Sequence, residues 1–447
     1  MAKYVKTEQG YIDMPSFAPA PFKPAGKSYL TFSSPNSFTL AVYDATKHWD
    51  GTLEYFASDK TWTVWNGDTT LSAVSDDGEY LLYLRGTGNT VITSGNFAGR
   101  WVPSGTNIKC IGNIDNLLDY ATVESGNHPT MANNCYRYMF QDCASLISAP
   151  ELPATTLADN CYNSMFYDCT SLIKAPELPA TTLAISCYAY MFTGCNSLAQ
   201  APALPATTLA INCYAYMFQG CTSLTQVPAL PATTLADNCY NSMFYDCTSL
   251  IKAPELPATT LADNCYRYMF QGCTSLTQVP ALPATTLANN CYQYMFQDCA
   301  SLISAPELPA TTLADNCYYG MFQGCTLKLS TTQTGKYNQA YRIPTTGDGI
   351  TAREALNNMF PKILNNGGTL AMTPKINTTY YISADNMIVR DTEVATLNGY
   401  VGSMIDAAID EYADAAEHII PSSTEGSTKK FKITVDDSGT LTATEVI

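Results

Sequence analysis

The chain has 447 residues, with 23 basic and 39 acidic side chains and a formal net charge of −16 at pH 7. The excess is spread as −4 over residues 1–134, −8 over 135–325 and −4 over 326–447, with no basic patch, which argues against a nucleic-acid partner. No run approaches the roughly 18 apolar residues of a membrane span, and the opening MAKYVKTEQGYIDMPSF lacks the apolar stretch of a secretory leader.

Residues 1–28 carry four prolines and read as an extended N-terminal arm. Residues 29–106 are rich in Thr, Ser, Tyr and Trp. Alternating runs such as TWTVW and YLLYLR lie between Asn-Gly, Asp-Gly and Gly-Thr-Gly turns, which predicts an antiparallel β module. Ser58-Asp59-Lys60-Thr61-Trp62 resembles the Asp-box hairpin of sialidase propellers but lacks its glycine, so an ordinary hairpin is the plainer reading.

Residues 107–326 are dominated by a repeat of 26 residues. LPATTL begins at Leu152, Leu178, Leu204, Leu230, Leu256, Leu282 and Leu308, and the block N-C-Y-x-x-M-F-x-[DG]-C runs from Asn134 to Asn316, with Ser186 replacing Asn once. At about 100° per residue, Cys135, Tyr136, Met139, Phe140 and Cys143 share one apolar arc, opposite Arg137, Tyr138 and Gln141. That predicts a helix of about two turns, capped by Asn134, followed by a short strand through Leu146 and A-P-E-L. No unit can bury its arc alone, so the units should stack into a solenoid. About nine turns at a strand spacing of about 4.8 Å would make a rod of about 40–45 Å.

The arc scarcely changes between units, whereas the outer positions vary. One outer row runs Arg137, Asn163, Ala189, Ala215, Asn241, Arg267, Gln293, Tyr319, and the next runs Tyr138, Ser164, Tyr190, Tyr216, Ser242, Tyr268, Tyr294, Gly320. Tyrosine interleaved with small polar residues is the composition of natural paratopes. The candidate ligand-binding residues are therefore Tyr138, Tyr190, Tyr216, Tyr268, Tyr294, Arg137, Arg267, Gln293 and Tyr319. A tyrosine ladder that merely shields the interior is the competing reading, since Tyr136 and its equivalents already use tyrosine inside the arc.

The pattern M-F-x-G-C-x-S-L-T followed by a proline-bounded apolar strand resembles the BspA-like bacterial surface leucine-rich repeats, over about residues 107–390. The resemblance implies a curved right-handed solenoid with a role in adhesion or recognition. The 26-residue unit and the LPATTL linker depart from the family pattern.

After Cys325 the pattern decays, and the next M-F, Met359-Phe360, comes 38 residues after Met321. Ala355 to Phe360 reads as a ninth block with Ala355 replacing the cysteine, and residues 327–390 as a degenerate last repeat and C-terminal cap. Residues 391–420 hold a 3-4 spacing of Val394, Leu397, Val401, Met404 and Ala408, an amphipathic helix that either oligomerises or packs on its own cap. Residues 421–447 read as a hinge and a β-hairpin, FKITV-DDSG-TLTATEV, serving assembly or docking. This tail resembles those of virion structural proteins from phages of gut bacteria, over about 25 residues.

Catalytic chemistry is not suggested. The three histidines, His48, His128 and His418, lie in different regions, and the paired cysteines are too far apart for a zinc motif. Stacked buried cysteines are expected in their place. The rows Asp142, Asp168, Asp246, Asp298 and Glu151, Glu177, Glu255, Glu307 could form a calcium ladder, but a solvated acidic face is the simpler reading. The expectation is a multidomain, non-enzymatic protein without cofactors or metal. A leucine-rich-repeat solenoid, with a short strand plus short helix per 26-residue repeat, is flanked by an N-terminal antiparallel β module and a C-terminal helix plus β-hairpin. It would recognise a host-surface glycan or protein from a virion surface, as a fibre-type or decoration protein associated with other virion proteins and with itself as a homotrimer. A bacterial cell-surface adhesin is the alternative.

Overall fold

A computed structural model describes residues 4–7, 10–13, 22–26, 29–302, 305–306, 308–327, 329–330, 337–341, 352–360, 380–383, 418–421, 430–435 and 441–446. The chain forms two compact units, Met1–Asn386 and Met387–Ile447.

Within the expected arm, β1 (Tyr4–Thr7) and β2 (Gly10–Asp13) form an antiparallel hairpin. The β module follows, with β3 (Leu30–Ser34), β4 (Thr39–Val42), β5 (Thr52–Phe56), β6 (Trp62–Trp65), β7 (Leu71–Ser72), β8 (Val74–Asp76), β9 (Glu79–Thr87), β10 (Trp101–Ser104) and β11 (Ile108–Ile111). Alternation puts Leu40 and Val42 inside while Thr39 and Ala41 are half-buried, as a two-residue period requires. A short helix, α1 (Asn116–Glu124), packs beside β9 and buries Leu117 and Leu118.

The larger sheet does not stop at the module. Its order is β12-β11-β3-β9-β5-β6 with β8 on β9, and β12 (Leu146–Ser148) belongs to the first repeat, pairing in parallel with β11. The module also donates N–H groups to the first repeat, from Ile92 and Thr93 to the Cys135 carbonyl and from Trp101 to that of Met139. Phe140 packs edge-on against Trp101 and Phe32, with centroids 6.3 and 6.1 Å away. The module thus covers the N-terminal end of the repeat stack.

Among the described residues of 133–327 there is no α-helix, which corrects the expected helix of about two turns per repeat. Positive φ recurs every fourth residue, at Asn134 (62°), Tyr138 (64°) and Asp142 (64°). Each such residue ends one turn and starts the next, and Asn, Asp and Gly supply most of these positions because they tolerate the left-handed region. Arg137, Met139, Gln141 and Cys143 donate to the carbonyl three residues back, at 2.9–3.2 Å. Asn134, Tyr136, Tyr138, Phe140 and Asp142 donate instead to Asp159, Cys161, Asn163, Met165 and Tyr167 of the next repeat, at 2.8–3.0 Å. Every second N–H therefore serves the turn and the others serve the neighbour, so the buried backbone is paired without a helix. Asn134 starts the run as a left-handed residue, not as a helix cap.

Each 26-residue unit is called a rung here: 133–158 is rung 1, 159–184 rung 2, and so on. The expected strand survives as three residues in rung 1 and later as single parallel bridges, Ser148↔Lys174, Gln200↔Gln226 and Lys252↔Gln278. Prolines such as Pro150 and Pro153 remove the donors a longer ladder would need. The arc is fully buried, and its rings form two columns. Tyr136 to Tyr318 stack at 5.6–5.8 Å, and Phe140 to Phe322 at 5.6–5.7 Å.

In the ninth block, residues 355–359 receive the hydrogen bonds of the eighth rung. Tyr318, Gly320 and Phe322 donate to the carbonyls of Ala355, Asn357 and Met359 at 2.9–3.0 Å. Around it, β13 (Leu329–Ser330), β14 (Tyr337–Tyr341) and β15 (Tyr380–Ser383) form a sheet of order β13-β15-β14. In the second unit β16 (His418–Pro421), β17 (Lys430–Val435) and β18 (Leu441–Val446) form an antiparallel sheet, so the expected hairpin has a third strand. The helix expected over 391–420 lies outside the described residues except for His418–Ile420, which are strand.

Candidate recognition face

The outer positions of the rungs build one aromatic face. Tyr138, Tyr190, Tyr216, Tyr268 and Tyr294 all have φ between 55° and 64° and are all half-buried. Tyr190 and Tyr216 stack at 4.5 Å, Tyr268 and Tyr294 at 5.1 Å, and Tyr319 meets Tyr294 edge-on at 5.2 Å. The facing sides of each stacked pair are closed to a ligand, which leaves edges, hydroxyls and outer faces. Arg137 and Arg267 lie over the rings of Tyr138 and Tyr268, at 4.6 and 4.7 Å. Gln293 is only 9 % exposed, so it supports the face from beneath.

Sequence reasoning missed Tyr167 and Tyr245. Rungs 2 and 5 place Ser164 and Ser242 in the tyrosine row but carry a tyrosine three residues later, where rungs 1, 4, 6 and 7 have glutamine. Tyr167 and Tyr245 are half-buried, one position before Asp168 and Asp246. The face thus keeps one tyrosine per rung from Tyr138 to Tyr294. The compensating swap, N-S-M-F-Y against x-Y-M-F-Q, was the available signal. The face continues onto the β module, where Phe97 lies 5.9 Å from Tyr138 and Tyr43 lies 6.1 Å from Phe97.

Carboxylates border these phenols. Burial raises the Tyr167 hydroxyl, and Asp168 and Asp142 raise it further; Tyr245 is raised by burial and then by Asp246 and Asp298. Asp168 and Asp246 sit above the usual carboxylate range, first through burial and then through Asp142 and Asp298. The Asp/Gly alternation of rungs 5 to 8 has a steric side, since a Cβ at Gly272 or Gly324 would overlap the carboxylate of Asp246 or Asp298 one rung earlier, as would one at Gly194 with Asp168, although Asp168 itself follows Asp142. A different row, Asp159, Asp237, Asp263, Asn289 and Asp315, accepts the N–H of the equivalent residue in the next rung, an acidic row with a structural task. Among the described residues no group of three or more His, Cys, Asp or Glu could hold a metal ion.

All 17 cysteines are free and buried. From Cys169 to Cys325, each second cysteine of a block donates its thiol to the carbonyl of the phenylalanine one rung earlier, at 2.9–3.2 Å. Burial pushes the Cys187, Cys221, Cys265, Cys317 and Cys325 thiols up to about 12. Iodoacetamide at pH 8 should therefore label the native chain at least tenfold more slowly than the urea-unfolded chain. Equal rates for most thiols would contradict the columns.

One contact set was not foreseen. His48 Nε2 lies 3.0 Å from both Asp44 carboxylate oxygens, and Nδ1 lies 3.4 Å from Ser94 Oγ, on the surface of the β module. Asp44 also accepts from the Thr46 N–H and hydroxyl, which is the bonding of a turn.

A stack of near-identical rungs with a constant interior and one variable aromatic face is the build of a repeat recognition protein. Residues 119–216 and 185–328 match the family described as BspA type Leucine rich repeat region, in six copies. Residues 119–328 are thus similar to BspA-type leucine-rich repeats, a likeness that suggests surface adhesion or recognition. No curated protein and no solved structure matches the chain. No helix among the described residues is long and apolar enough to cross a membrane.

Proposed function

We propose that this protein is a virion fibre-type or decoration protein that recognises a host-surface glycan or protein through the tyrosine face of its repeats. One observation carries the recognition reading: the apolar arc hardly varies between rungs, while the face varies yet keeps one tyrosine per rung from Tyr138 to Tyr294. The virion reading rests on the likeness of the C-terminal tail to gut-phage virion proteins. The second unit would then join other virion proteins or two further copies of the chain. A bacterial cell-surface adhesin is the second reading, favoured by the BspA-type match.

The test combines location and binding. Mass spectrometry of purified particles should find the chain, and light scattering should give the mass of a trimer. Tyr190→Ser with Tyr216→Ser, which copies Ser164 and Ser242, should keep the melting temperature and lower host-cell binding at least tenfold. Undiminished binding would remove the face from the mechanism. Absence from particles together with presence on bacterial envelopes would select the second reading.

A further inference from the structure

We infer that the tyrosine face takes a cationic polypeptide segment, seating its arginine or lysine side chains against tyrosine rings and the bordering aspartates. This deepens the recognition reading and concerns the same face.

The chain already contains one such seat. The Arg100 guanidinium lies 3.6 Å from the Tyr43 ring centroid and 4.0 Å from that of Phe97, and its Nη2 lies 3.8 Å from the Asp142 carboxylate. Asp142 begins the acidic row, and Phe97 touches Tyr138, the first tyrosine of the face. Further along the stack the same ingredients recur without an arginine between them. Tyr167 and Tyr245 are both half-buried and each adjoins an aspartate of the row, Asp168 and Asp246, whose charge helps to raise the phenol. Among the described residues no salt bridge neutralises Asp168, Asp246 or Asp298, and the repeat stack carries a net charge of −8. A guanidinium or ammonium placed there would gain ring-face attraction and relieve carboxylate repulsion together. A neutral sugar would satisfy neither need, and the closed faces of Tyr190–Tyr216 and Tyr268–Tyr294 deny it much stacking surface.

The experiment measures binding of a fluorescent nona-arginine peptide and of a neutral oligosaccharide to the full chain, at low and physiological salt. Three variants separate a built face from bulk charge. Asp142→Asn with Asp168→Asn and Asp246→Asn should weaken peptide binding at least tenfold. Glu151→Gln with Glu177→Gln and Glu255→Gln removes equal charge from another row and should weaken it less than threefold. Tyr167→Gln with Tyr245→Gln, residues native to neighbouring rungs, should weaken it at least fivefold with the melting temperature unchanged. No peptide binding, equal weakening by the two acidic sets, or no effect of the tyrosine changes would each overturn the proposal. Tyrosine-dependent binding of the oligosaccharide alone would overturn it too, yet leave the recognition reading standing. Host-cell binding untouched by the Tyr190 and Tyr216 changes, with peptide binding as expected, would sink the recognition reading alone.

Discussion

Gly272→Ala should destabilise the stack by about 2–4 kcal/mol, whereas Gly220→Ala should cost only about 1 kcal/mol. Both glycines have positive φ, 73° and 70°, so both substitutions bear the cost of a Cβ in the left-handed region. They differ in what stands beside them. A Cβ at Gly272 would run into the Asp246 carboxylate, while at Gly220 the nearest atoms are the backbone N and Cα of Gly194, at 3.8 and 3.9 Å. Asp246→Gly in the Gly272→Ala background should therefore restore all but about 1 kcal/mol, a coupling that a double-mutant cycle in urea would measure. Hydrogen exchange should place the lost protection in rungs 5 and 6. Equal losses at the two glycines, or no rescue, would mean that the Asp/Gly alternation has another cause.

That alternation shows how far the sequence could be read. The repeat length, the buried arc and the replacement of a cysteine by Ala355 were all legible, because each is a matter of which side chains avoid water. The backbone was not. Over the nine residues from Cys135 to Cys143, apolar pairs at 135/136 and 139/140 fit a period of 3.6 as well as one of 4, so the arc could not exclude a helix. The recurrence of Asn, Ser, Asp and Gly every fourth residue was the clue to left-handed turns, although tyrosine in the middle row obscured it. Tyr167 and Tyr245 escaped because the rows were followed one position at a time, whereas the face is shared by two. The module's role as the first cover of the stack depends on contacts such as Trp101 with Phe140, which no local pattern encodes.

Phe244→Ala should cost about 3–5 kcal/mol, the usual range for emptying a fully buried phenylalanine site. Phe244 is wholly buried, with parallel rings on both sides, Phe218 and Phe270, each at 5.7 Å. Its carbonyl also accepts the Cys247 N–H and the Cys273 thiol, so a collapse of the backbone into the cavity would strain two further bonds. Stacked repeats are stabilised chiefly through nearest neighbours. The loss should therefore appear as a broadened or split urea transition, with the rungs on each side of the cavity melting separately. Phe244→Leu, which refills most of the space, should recover more than half of the loss. A cost under about 1 kcal/mol for the alanine variant would show that the ring column fills space without holding the rungs together.

The ladder between rungs has a direction. Along the turns, alternate N–H groups point to the rung that follows, whereas outside the turns N–H groups such as those of Thr181, Thr225 and Thr259 point to the rung before. For the turns alone, the β module ends the series by offering donors, and the ninth block ends it by offering acceptors. Every internal junction is thus the same joint, and residues 159–184 and 237–262 are identical in sequence. Recombination between these two copies, which lie three units apart, would add or remove three whole units and make a chain with no mismatched joint, only a longer or shorter one. Change of that kind alters the count of tyrosines on the face in steps of three. It is a coarse adjustment of reach and valency, available without the slow accumulation of point mutations.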